Sequence, residues 1–105
     1  MSRSEESLPK TFTLSGVTHN GRKFLFTPSQ VFSYYYDGTS RSTCIESKDL
    51  NVSVLASSSV ETQRRIGQEI AVLWDNYALE DPGKLSTDTK KLRLRILAVV
   101  TEVAA

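Results

Sequence analysis

Between residues 11 and 56 apolar and polar positions alternate in short runs, and after residue 59 the spacing changes to steps of three and four. Phe12, Leu14 and Val17 lie among Thr and Ser in a near period-2 pattern, as in a half-buried strand whose successive side chains point to opposite faces. His19-Asn20-Gly21-Arg22 follows, and Asn-Gly predicts a hairpin because both residues tolerate the positive φ of a type I′ turn. Lys23–Thr27 is the returning strand, and Pro28 is expected to end it. Val31–Tyr36 is rich in β-formers and stops at the turn dipeptide Asp37-Gly38, with Ser40–Thr43 continuing the loop. Cys44–Glu46 reads as a short strand and Lys48-Asp49 as a turn. Leu50–Ala56 then alternates with Leu50, Val52 and Val54 on one face. A one-residue slip would turn that apolar set outward, so the register there is expected to be fixed.

The triple serine 57–59 marks the change of period. Ser59 is the expected N-cap, with Glu61 in the first turn to complement the helix dipole. Ile66, Ile70, Leu73 and Tyr77 then form the stripe of an amphipathic helix over Ser59–Tyr77, with Trp74 as a core anchor. Asp81-Pro82-Gly83 breaks it. A second helix starts at Ser86 or Thr87, and its stripe of Leu92, Ile96, Val99 and Val103 is thickened by Leu94, Leu97 and Val100. Strands followed by helices imply an α+β fold: an antiparallel sheet of about four to five strands, then two amphipathic helices packed on one face. A parallel βαβ arrangement is the alternative.

The 105 residues are expected to make a disordered leader over 1–9 and a single α+β domain over 10–105. Thirteen basic and twelve acidic residues leave a formal charge of +1. That balance removes the composition-level argument for nucleic acid, which needs concentrated Lys and Arg. Cys44 is the only cysteine, so no disulfide closes within one chain, and a reducing cytoplasm is the expected location. No apolar run approaches the length of a membrane span, and Met1–Lys10 lacks the apolar stretch of a signal peptide.

Candidate chemistry is sparse. His19, the sole histidine, sits in the hairpin turn and reads as a solvated turn residue rather than a general base or metal ligand. Cys44 beside Ile45 reads as a small packed side chain, because an activated thiol needs a base and only His19 offers one. Glu46 with Asp49, and Glu80 with Asp81, are acidic loop or turn residues whose spacing forces no convergence. No phosphate loop or nucleophile elbow is present. No catalytic, cofactor or metal residues are assigned, although a minimal metal-dependent hydrolase or nuclease using Glu46, Asp49 or a cysteine–histidine pair is kept as a competing reading.

Two features point to binding. In a strand Tyr34 and Tyr36 share one face and Tyr35 takes the other, so either the rings pack with wet hydroxyls or Tyr34, Tyr35 and Tyr36 mark a protein–protein interface. Lys91 and Arg95 lie one turn apart among Lys90, Arg93, Arg64 and Arg65, either as a solvated helical face or as an RNA-contacting stripe.

The stretch CIESKDLNVSVLASSSVETQRRIGQEI, within residues 44–77, resembles the HicB-like antitoxin core: a short strand, an alternating strand, a polar break and an amphipathic helix beginning near Val60-Glu61. Serines stand where that family has a glycine before the helix. The resemblance implies a β-β-β-α unit like a truncated RNase H fold, a homodimer, and a protein partner such as a small RNA-cleaving toxin. The expected function is a noncatalytic protein-interaction domain, with a small RNA-binding module as the alternative.

Overall fold

The Asn20-Gly21 turn organises the first half of the chain. In the computed structural model, which describes residues 10–39 and 41–104, Asn20 and Gly21 have φ of 50° and 78°, as a type I′ turn requires. They join β1 (Lys10–His19) to β2 (Arg22–Asp37), and His19 pairs with Arg22. The leader over 1–9 lies outside the described residues.

Pro28 does not end the returning strand. β2 runs sixteen residues from Arg22 to Asp37 and merges the two expected strands. The pairing with β1 instead shifts register, from Leu14↔Gln30 to Gly16↔Leu25. Pro28 sits within the unpaired β2 residues at that irregularity, where its missing N–H breaks no ladder bond. The Gln30 side-chain amide donates to the Pro28 carbonyl at 2.9 Å, which gives the buried amide a partner inside the bulge.

The chain returns through β3 (Ser42–Ser47) and β4 (Val52–Ala56), giving the antiparallel order β1-β2-β3-β4. β3 begins two residues before Cys44. Leu50 belongs to the Lys48–Asn51 turn rather than to β4 and is buried there, its N–H donating to Ser47 Oγ at 3.3 Å.

α1 (Ser59–Leu73) is capped by Ser58, not Ser59: the Glu61 N–H donates to Ser58 Oγ at 3.1 Å. The Glu61 carboxylate in turn accepts from the Ser57 N–H at 2.9 Å. That bond, opposed by partial desolvation and aided by the Ser57 hydroxyl, Arg65 and Arg64, holds the Glu61 carboxyl below its ordinary range. The last turn, Trp74–Ala78, widens into a π-helix. A 3-10 turn at Pro82–Lys84 leads to α2 (Thr87–Val99), capped by Ser86.

The second helix stops earlier than its stripe implied. Val100–Val103 is β5, which pairs antiparallel with Lys23–Phe26 of β2. Spacing alone placed Val99 and Val103 on one helical face, but the β-branched run Val99-Val100-Thr101 favours extended backbone, and β2 offers an open edge beyond the end of β3. The sheet thus has five strands, with the helices between the fourth and the fifth.

One face of this sheet carries the core. Val17, Phe24, Phe26, Phe32, Ile45, Val52 and Ala56 meet Ile66, Ile70, Ala71 and Leu73 of α1 and Leu92 and Ile96 of α2. Gly67 lets α1 lie directly on β1, since a Cβ there would run into the Thr18 carbonyl oxygen.

Candidate interaction surface

The strand period that buries Phe32 and Ile45 sends their neighbours to the opposite face, which no helix among the described residues covers. Tyr35 pairs with Cys44, and Cys44 with Leu55, so these three side chains form one row across β2, β3 and β4. Tyr35 is 43% exposed and Leu55 48%. The Tyr35 hydroxyl is pushed up from its ordinary pKa, chiefly by its hydrogen bond with the Cys44 thiol and then by the charges of Cys44 and Glu46. The adjoining row contains Ser33, Glu46 and Ser53, and beyond it Val31 pairs with Thr13 and is 59% exposed. The outer face is therefore a mixed surface, with Tyr35, Leu55, Val31 and, nearer the hairpin, Leu25 as exposed large apolar side chains and with Glu46 and Asp37 as carboxylates near Tyr35.

A second opening lies on the inner face, where α1 leaves the tyrosine end of the sheet uncovered. Phe12, Leu14, Tyr34 and Ile45 floor a cleft of about 430 Å³ whose wall is Thr43, Ser57–Ser59, Thr62 and Gln63. The Phe12 ring packs between Phe32 and Tyr34, with centroids 5.6 Å from each. None of these residues is a carboxylate, a lysine, an arginine or a histidine.

The hairpin end is polar and tightly tied. Arg22 donates both terminal nitrogens to Asp75, at 2.9 and 2.8 Å, and donates from Nε and Nη2 to Glu102, each at 3.0 Å. Its guanidinium also lies 5.1 Å from the Phe24 ring centroid, and Phe24 meets Trp74 edge-on. The bonds from Arg22 hold the Asp75 and Glu102 carboxyls below their usual range, against a smaller desolvation effect, and raise the guanidinium further above neutrality. One side chain thereby joins β2, the π turn and β5.

The tyrosines of the sequence reading separate. Tyr34 faces inward into the cleft wall against Phe12, Tyr35 faces outward, and Tyr36 at the strand end is 66% exposed. They do not form one surface. Lys91 and Arg95 are both exposed on α2, and no carboxylate pairs with either among the described residues. His19 and Cys44 are not brought together. His19 lies at the hairpin beside Asn20, in a polar hollow lined by Val17, Thr18, Val60, Gln63 and Arg64, while Cys44 lies across from Tyr35 at the far end of β2. Among the described residues there is no group of three or more His, Cys, Asp or Glu side chains placed to hold a metal. Glu46 faces outward from β3 and Asp49 is exposed in the turn, with no catalytic base beside either.

Leu55 and Val31 were missed as surface residues by the sequence reading. Their odd positions in the strand alternation already assigned them to the face opposite Phe32 and Val54. No helix among the described residues is long and apolar enough to cross a membrane. Comparison with family models, with characterised proteins and with solved structures returns no match.

Proposed function

We propose that this chain is a noncatalytic protein-interaction domain that works as a homodimer, with the outer face and free edges of its sheet as the contact surface. The observation that carries the reading is the uncovered row Tyr35–Cys44–Leu55 with Val31 nearby, because large apolar side chains grouped on an open sheet face mark contact sites more than scattered ones do. The resemblance of residues 44–77 to the HicB-like antitoxin core supports the same reading, since members of that family dimerise and bind a protein partner. RNA contact through Lys91 and Arg95 is the second reading, supported by two unpaired cations one turn apart on an exposed helical face.

Size-exclusion chromatography with light scattering tests the leading reading. A mass of twice the chain at tens of micromolar is the expected result, and a strictly monomeric chain at that concentration overturns it.

A further inference from the structure

Among the described residues the sheet leaves three free edges, and they differ in how well they resist another strand. β1 begins with Lys10 and is bent in the middle by the register shift at Leu14/Gly16. β5 carries Glu102, locked to Arg22. β4 has neither charge, proline nor bulge: it reads Val52-Ser53-Val54-Leu55-Ala56 and pairs with β3 through all five residues without a shift. Among the described residues no backbone hydrogen bond reaches it from outside its own ladder. Sheet edges in monomeric proteins are normally blunted by such charges, prolines or bulges, because unpaired N–H and C=O groups otherwise take up another strand.

We propose that two copies of this chain pair antiparallel through their β4 edges, with Val54 of each copy on the two-fold axis, to make one continuous sheet. The proposal rests on the homodimer reading above and names its contact. The unpaired N–H and C=O groups of the edge take a β-strand as partner, and in the homodimer reading that strand is the β4 of the second copy. Centring on Val54 gives every residue of the strand an opposite number: Val52 meets Ala56, Ser53 meets Leu55, and Val54 meets itself. Directly opposed residues in an antiparallel pair point to the same face, so inward Val54 meets inward Val54 and the helices of both copies stay on one side. A register shifted by one residue would oppose inward with outward side chains, which the pleat of an antiparallel pair does not allow. A shift by two would shorten the ladder.

In this register the half-buried Val54 gains a direct apolar neighbour. The exposed Leu55 of one copy stands diagonal to Leu55 of the other, within the reach of ~7–8 Å that diagonal cross-strand pairs have. Across the axis the row Tyr35–Cys44–Leu55 meets the row Ser53–Glu46–Ser33 of the other copy, and neither copy brings a charge within β4 to be opposed or buried. A five-residue ladder is short beside interfaces of about 1,200–2,000 Å², so the association is concentration-dependent rather than permanent.

Light scattering across a dilution series, applied to the intact chain and two double variants, tests this register. Ser53→Lys with Leu55→Lys sets like charges directly opposite each other twice. Ser53→Glu with Leu55→Lys sets opposite charges in the same places. Ser53 and Leu55 both point to solvent on the outer face, so circular dichroism should show both variants folded. The expected outcome is a native dimer, a monomeric Lys/Lys variant and a dimeric Glu/Lys variant. A native dimer that survives both substitutions, or is lost equally in both, overturns the edge register while leaving the homodimer reading in place. A native monomer overturns both.

Discussion

The two halves of β2 share one strand and one alternation, yet they end in opposite conditions. From Arg22 to Phe26 the strand lies between β1 and β5, Trp74 closes over Phe24, and Arg22 is held by carboxylates from two other elements. From Gln30 to Asp37 it pairs with β1 as far as Tyr34 and with β3 from Ser33 onward, its inward Tyr34 stays half-exposed at the cleft, and Val31, Tyr35 and Tyr36 face solvent. The strand itself does not make the difference. The π turn and β5 return to the hairpin end and finish its packing, whereas nothing among the described residues covers the tyrosine end. A domain arranged this way keeps its stability at one end and leaves contact surface at the other.

The strongest way to break that contrast is to empty the hairpin end. Phe24 is fully buried between Trp74 and the Arg22 guanidinium. Truncating a buried phenylalanine costs about 3–5 kcal/mol through lost transfer energy and the cavity left behind, a large share of the stability of a domain this size. Phe24→Ala should therefore lower the urea midpoint sharply, with a fraction unfolded at 25 °C. A loss below about 1 kcal/mol would show that the core is not centred where the contrast places it.

How much of this arrangement was legible in the sequence differs between the same two halves. The Asn20-Gly21 hairpin, the β3 and β4 strands and the start of both helices follow from turn chemistry, alternation and caps, all of which act over a few residues. What local pattern missed was non-local. Pro28 reads as a stop because a proline cannot donate to a ladder, yet at an unpaired bulge position it breaks no bond and the strand continues. Val100 and Val103 fit a helical stripe by spacing, but the open edge of β2 beyond β3 decides their conformation, and that edge lies some seventy-five residues away in the chain. Ser58 takes the cap from Ser59 because Glu61 lies three residues after it, the spacing of a capping box. The Arg22–Asp75–Glu102 tie had no sequence signature at all, since its three members come from elements whose packing had first to be known.

A second, smaller effect sharpens the contrast through pH. Asp75 and Glu102 have their carboxyl pKa values depressed by Arg22, so the unfolded chain binds protons more readily than the folded one across that range. Their contribution is fully present at neutral pH, above the ordinary carboxylate range. It is lost as pH falls through that range and then through the depressed folded values. Arg22→Met keeps apolar bulk near Phe24 but removes both bonds. Thermal unfolding followed from pH 7 downward should show the native chain losing Tm more steeply than Arg22→Met, the two curves converging in acid. Parallel curves would mean that Arg22 contributes through packing alone.

The smallest effect belongs to the other end of the same strand. Tyr36 lies fourteen residues beyond Arg22 in β2, is 66% exposed and, among the described residues, is paired with Thr43 of β3. Exposed side chains away from caps, cavities and buried pairs usually change stability by no more than about 0.5 kcal/mol when replaced. Tyr36→Ala should accordingly leave the urea midpoint almost where it was, measured beside Phe24→Ala in the same series. A tyrosine that contributes little to folding is free to serve in contact, so the informative outcome is a stability change near zero. A loss on the scale of Phe24→Ala would mean that the tyrosine end is covered after all, by packing that its exposure does not reveal, and that the two halves of β2 are not the opposites they form here.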